Sequence, residues 1–164
     1  MRIRHLATLA FVLLFQTGCS DPTPSSPRHA IAPALNLAQL DGSAITLPTR
    51  DADTPLLLLF WADWCPPCLA ELNAINQHYP HDTHEKLRII TINIAQPEPI
   101  VRQLIERLQL KLPVYLDSHG DIAQAYGIKT LPASILINQE GKIARRISGQ
   151  LTPEALQDLT RTPS

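Results

Sequence analysis

The spacing of apolar positions changes character several times along the chain. LNLAQLDGSAITLP (35–48) has apolar flanks around Asp41-Gly42, a dipeptide that favours a hairpin turn. PLLLLFW (55–61) is an unbroken apolar run behind Pro55, as expected of a strand buried on both faces. In CLAELNAINQHY (68–79), Leu69, Leu72, Ile75 and Tyr79 recur at helical spacing, and Pro80 stops the pattern. LRIITINI (87–94) reads as a second buried, β-branched strand. EPIVRQLIERLQL (98–110) carries Ile100, Val101, Leu104, Ile105 and Leu108 on one helical stripe. PVYLD (113–117) is a short extended piece, and DIAQAYGI (121–128) a short helix ended by Gly127. ASILIN (133–138), Gly141 and KIARRIS (142–148) form an antiparallel hairpin. TPEALQDLTR (152–161) closes the chain as a helix capped by Thr152, with Pro153 in the first helical position. This order predicts an α/β fold: an N-terminal β-hairpin, then a mixed central sheet with helices on both faces.

The N-terminus follows other rules. Arg2, Arg4 and His5 precede the ten-residue apolar run LATLAFVLLF (6–15), which is too short to span a bilayer stably. Residues 1–18 therefore read as a bacterial secretory signal. QTGCS (16–20) resembles the lipobox of bacterial lipoproteins, with Gln16 in place of the usual Leu. That resemblance implies lipidation at Cys19 and a membrane anchor on the periplasmic side, in either leaflet. Residues 19–34 hold Pro22, Pro24, Pro27 and Pro33 and read as an extended tether. The folded domain is expected over residues 35–164.

Composition narrows the function. A chain of 164 residues, 45% of them apolar, suits one packed domain, and a net charge of −1 gives no nucleic-acid footprint. His78, His81 and His84 cluster with Asp82 and Glu85, but Pro80 keeps them off a common helical face, so a solvated loop is expected rather than a metal site.

The chemistry concentrates in FWADWCPPCLAEL (60–72), which holds two of the three cysteines. Cys65 and Cys68 lie where the buried strand gives way to a helix. A helix start stabilises a thiolate and makes it a nucleophile near neutral pH. Pro66 suits the first helical position. A structural staple closing so short a loop would remove little chain entropy. A structural zinc site wants four ligands, and no second pair is present. A redox-active dithiol fits best, with Cys65 attacking and Cys68 resolving, and it needs no cofactor beyond its own disulfide.

FWADWCPPC (60–68) and TLPASILI (130–137), their marks 64 residues apart (68 to 132), resemble the strand–helix junction and the cis-proline of the thioredoxin superfamily. The longer middle, residues 89–128, is similar to the extra strand–helix region of the membrane-tethered TlpA/ResA/DsbE-like thiol:disulfide oxidoreductases. The resemblance implies a thioredoxin-like three-layer fold. It implies a substrate groove formed by Trp64, Pro66, Pro67, Leu131 and Pro132, with Leu131-Pro132 a cis bond. Leu59 stands where cytoplasmic thioredoxins carry a buried Asp, whereas Glu71 matches the acid–base residue of the tethered branch; Asn73 replaces a helix-kinking Pro. Trp61 is expected in the core and Asp63 at the surface beside the site.

The resemblance further implies reduction of disulfides in protein substrates, apocytochrome c among them in cytochrome c maturation, and a membrane electron donor of the DsbD/CcdA type. A disulfide oxidase or isomerase of the same fold is the alternative within the class. A thioredoxin-fold peroxidase would need a Thr-x-x-Cys site, which is missing. A copper carrier would use a CxxxC pair, and the spacer here is one residue short.

Overall fold

The computed structural model describes residues 30–48, 53–78 and 86–161. The signal, Cys19, His81, Asp82, His84 and Glu85 lie outside the described residues. Among the described residues, seven strands and four helices follow in the order β1 (Leu35–Ala38), β2 (Ala44–Leu47), β3 (Leu56–Trp61), α1 (Pro66–His78), β4 (Arg88–Ile94), α2 (Glu98–Leu108), β5 (Val114–Asp117), α3 (Asp121–Ala125), β6 (Ala133–Ile137), β7 (Ile143–Ser148) and α4 (Pro153–Arg161). No helix among the described residues is long and apolar enough to cross a membrane.

β1 and β2 pair antiparallel as a separate ribbon. The Asp41 carboxylate accepts the Ser43 N–H at 2.8 Å, and Gly42 takes the positive φ (88°) that the tight turn demands. The other five strands form one sheet in the order β5-β4-β3-β6-β7. β3 runs parallel to β4, and β4 to β5, while β6 and β7 are antiparallel additions. The mixed sheet expected from the sequence is therefore present, with β3 at its centre.

Central placement explains the composition of β3. Both its edges are paired and both its faces covered, so all six residues are buried. Leu57, Leu59 and Trp61 pack with Leu72 and Ile75 of α1, Val101 and Leu104 of α2, and Leu156 and Leu159 of α4. Leu56, Leu58 and Phe60 pack on the opposite face with Ile122 of α3 and with Leu37 and Leu47 of the ribbon. Helices do cover both faces, but unequally: three long ones on one side, one short helix and a β-ribbon on the other. Each large side chain buried in this way contributes about 1.5–3 kcal/mol of apolar transfer energy.

Helix ends follow local chemistry. α2 ends with its apolar stripe at Leu108, two residues short of the segment 98–110 read from the sequence, because Gln109 turns into the left-handed region (φ 47°). The buried Asp117 carboxylate accepts the Ile122 and Ala123 N–H groups at the start of α3. The Thr152 hydroxyl accepts the Ala155 N–H of α4 at 3.3 Å, as its capping position implied.

The fold also takes in residues that the sequence assigned to the tether. Ile31 bridges Lys142, the Ala32 N–H donates to the Gly141 carbonyl at 2.9 Å, and Ala32 is buried. Packing thus begins before Leu35. The four prolines marked this stretch as unable to form a regular ladder, but a single bridge with two flanking hydrogen bonds escapes that rule.

Candidate active site

β3 ends at Trp61, and after four intervening residues the chain enters α1 at Pro66. The Cys65 N–H donates to the Ala62 carbonyl at 3.2 Å, closing the intervening turn. Cys65 and Cys68 are joined by a disulfide, with their Cα atoms 5.3 Å apart. Cys68 is fully enclosed, whereas Cys65 keeps 5% of its surface. The attacking and resolving thiols assigned from the sequence therefore differ in access in the expected sense.

The start of α1 has an uncommon feature. Pro66 and Pro67 fill its first two positions and have no N–H to offer. The next two donors, the Cys68 and Leu69 N–H groups, both go to the Cys65 carbonyl, at 3.0 and 3.2 Å. The backbone N–H groups that a helix start normally leaves open are here either missing or already paired. What remains for a Cys65 thiolate is the helix dipole itself.

Sheet register places the other sequence-predicted residues. β6 begins at Ala133, opposite Phe60, so the residue before it, Pro132, falls at the same end of the sheet as the dithiol. Leu131-Pro132 is a cis peptide, and Leu131 is half-buried. A second cis bond, Leu47-Pro48, carried no mark in the sequence. Pro66 and Pro67 are exposed. The two tryptophans diverge: Trp61 is 1% exposed and belongs to the core, whereas Trp64 is 66% exposed beside Cys65.

Glu71 lies on α1 one turn beyond Cys68 and is buried among core residues. Its Oε1 accepts the Leu151 N–H at 2.8 Å. Burial pushes its carboxyl up to about 7, a rise that the Leu151 hydrogen bond only partly opposes. A proton can thus enter or leave this group near neutral pH. Asn73 is exposed on α1, which runs unbroken through it.

Sequence reasoning missed one pair of residues. Gln96, after β4, accepts the Asp63 N–H at 2.8 Å through its side-chain oxygen, and the same atom accepts the Asn93 amide at 2.8 Å. Both side chains are buried. The visible signal was two amides at the end of a buried strand, but nothing in the local spacing connects them to Asp63, 33 residues earlier in the chain.

The dithiol at a strand–helix junction, on a sheet of this order, defines a thioredoxin-like thiol–disulfide oxidoreductase. A family model described as the AhpC/TSA family matches residues 29–146, and the chain belongs to that family. It is 29% identical to sporulation thiol-disulfide oxidoreductase A of Bacillus subtilis (strain 168), over 98% of this chain and 99% of that protein. It is 32% identical to the thiol-disulfide oxidoreductase ResA of Bacillus thuringiensis subsp. konkukian, over 77% of this chain and 73% of the relative. The crystal structure of StoA from Bacillus subtilis superposes with a TM-score of 0.69 at 31% identity, covering 80% of this chain and 98% of that one.

Proposed function

We propose that the protein reduces disulfides in extracytoplasmic protein substrates, and that its own disulfide is the spent form. The Cys65 thiolate attacks one sulfur of a substrate disulfide and expels the other as a thiolate, which takes up a proton. Cys68 gives up its proton, and its thiolate attacks Cys65 Sγ in the mixed disulfide. That step releases the second substrate sulfur and leaves the Cys65–Cys68 disulfide. Two electrons and two protons pass from enzyme to substrate. An external dithiol donor must return two electrons and two protons, a task suited to a membrane protein of the DsbD/CcdA type.

Glu71 is the proposed proton acceptor for Cys68, and later its donor. It is buried one helical turn from that thiol, and its carboxyl titrates near neutrality. Trp64, Pro66, Pro67, Leu131 and Pro132 are the proposed docking surface, on which an extended substrate segment lies against the Leu131 backbone. Residues 1–18 would direct export, and Cys19 would carry the lipid. Apocytochrome c is a fitting substrate, because its haem-binding thiols must be reduced before haem is attached.

The observation that carries the reductive direction is the proline-filled start of α1. A strong oxidant draws its potential from a stabilised thiolate in the reduced form. Here the first turn presents no open N–H to Cys65, so the reduced state gains little and the disulfide is comparatively stable. The test is insulin reduction under dithiothreitol, run with wild type, Cys65→Ser and Cys68→Ser. Wild type accelerates precipitation, Cys65→Ser is inert, and Cys68→Ser accumulates mixed disulfides. Equal rates for wild type and Cys65→Ser would overturn the proposal.

A further inference from the structure

Gln96 Oε1 fastens the turn bearing Trp64 and Cys65 from outside, holding the Asp63 N–H at 2.8 Å. Three features keep that atom in place. Asn93 donates its amide to the same oxygen at 2.8 Å, and Asn93 lies opposite Trp61 in the β3–β4 register. Between the two amides, Ala95 adopts a left-handed conformation (φ 55°) that residues other than glycine seldom take. The Ala95 N–H donates to the Asp117 carbonyl at 2.8 Å, which ties this turn to the end of β5.

Gln96 and Asn93 are 7% and 1% exposed, and an apolar side chain would fill such positions without the desolvation cost of an amide. The Asn93 side-chain oxygen Oδ1 has no hydrogen-bond partner among the described residues, and its Nδ2 donates to Gln96 Oε1. A buried amide pair and a left-handed alanine, both converging on the backbone two residues before a nucleophile, match the strain and polarity that folds retain at functional sites.

We propose that Gln96, oriented by Asn93, is a positioning residue of the dithiol: it fixes the Asp63 backbone and so sets where Trp64 and Cys65 stand at the start of α1. The proposal rests on Cys65 being the nucleophile. Displacing a nucleophile slightly from its line of attack lowers the rate without altering the chemistry.

The test uses the reduced protein and a small disulfide, 5,5′-dithiobis(2-nitrobenzoic acid), with the rate followed from pH 5 to 9. Gln96→Met keeps the length and removes the acceptor. Gln96→Glu keeps an acceptor oxygen and adds charge. At the alkaline plateau, where the thiolate is fully formed, Gln96→Met should react about tenfold more slowly, the factor that matches one lost hydrogen bond. Gln96→Glu should keep the wild-type plateau, with only the midpoint of its profile moved to higher pH. Amide exchange at Asp63 should be slow in wild type and Gln96→Glu and fast in Gln96→Met. If Gln96→Met does not fold, Gln96→Asn, one methylene too short to reach, carries the same expectation. A wild-type plateau in the variant lacking the acceptor overturns the proposal, and so does an equal loss in both variants. A wild-type protein that does not react at all removes the oxidoreductase reading and this role with it, whereas fast Asp63 exchange in Gln96→Met without any rate effect removes this role alone.

Discussion

Glu71 and Leu151 meet across 80 residues of sequence: the carboxylate of one accepts the backbone N–H of the other at 2.8 Å, beneath the dithiol helix. This bond gives a buried carboxyl one satisfied oxygen, but it does not offset the loss of water, and the group titrates near 7 instead of 4.5. The folded state thus binds this proton more tightly than the unfolded chain does. Its contribution is unchanged below about pH 4.5, and stability falls as the pH rises from there through 7. The penalty above pH 7 is on the order of 3 kcal/mol. Glu71→Gln keeps an acceptor for Leu151 and cannot ionise. Urea unfolding of the oxidised proteins from pH 4 to pH 8 should show wild type losing stability relative to Glu71→Gln, and parallel curves would contradict the assignment.

The two prolines between the cysteines make a second expectation. Pro67→Ala restores one N–H at the second position of α1, which a Cys65 thiolate at the N-cap can accept. A hydrogen bond to a charged group contributes about 1.5–3 kcal/mol, which for a two-electron couple is about 30–60 mV. The substitution should move the potential of the Cys65–Cys68 couple upward by that amount, towards an oxidant. Equilibration with glutathione measures it, and an unchanged or lower potential would show that the missing donors do not set the poise.

Much of this was legible in the chain. The Leu-rich run 55–61 had to be buried on both faces, and it became the central strand. The Leu69–Leu72–Ile75 spacing marked the inner stripe of α1, and the helix begins three residues before it, at Pro66, the residue the sequence suited to the first helical position. The cysteine pair was recognisable because spacing, prolines and position all agree locally. What stayed hidden depends on distant partners. Gln96 is an ordinary polar residue until β4 brings it to Asp63. The unequal covering of the two sheet faces depends on how α2 and α4 cross over the sheet, which periodicity alone does not encode. The burial of Glu71 is intermediate: its position one turn past Cys68 was plain, but its depth depends on the loop that carries Leu151.

Trp64 separates docking from folding. It is 66% exposed, so truncation removes little packing. Trp64→Ala should leave the unfolding temperature nearly unchanged and raise KM for a protein disulfide substrate several-fold, with a smaller effect on a small aromatic disulfide. A large fall in stability with unchanged KM would place Trp64 in the scaffold instead.

The reductive direction is the central claim, and the potential of the wild-type Cys65–Cys68 couple tests it most directly. Equilibrated against a dithiothreitol series and read by thiol alkylation, the couple should lie below about −230 mV, beyond the glutaredoxin range and towards thioredoxin. A value near −120 mV, in the range of about −100 to −150 mV where a strong disulfide donor sits, would contradict it and make the protein an oxidant.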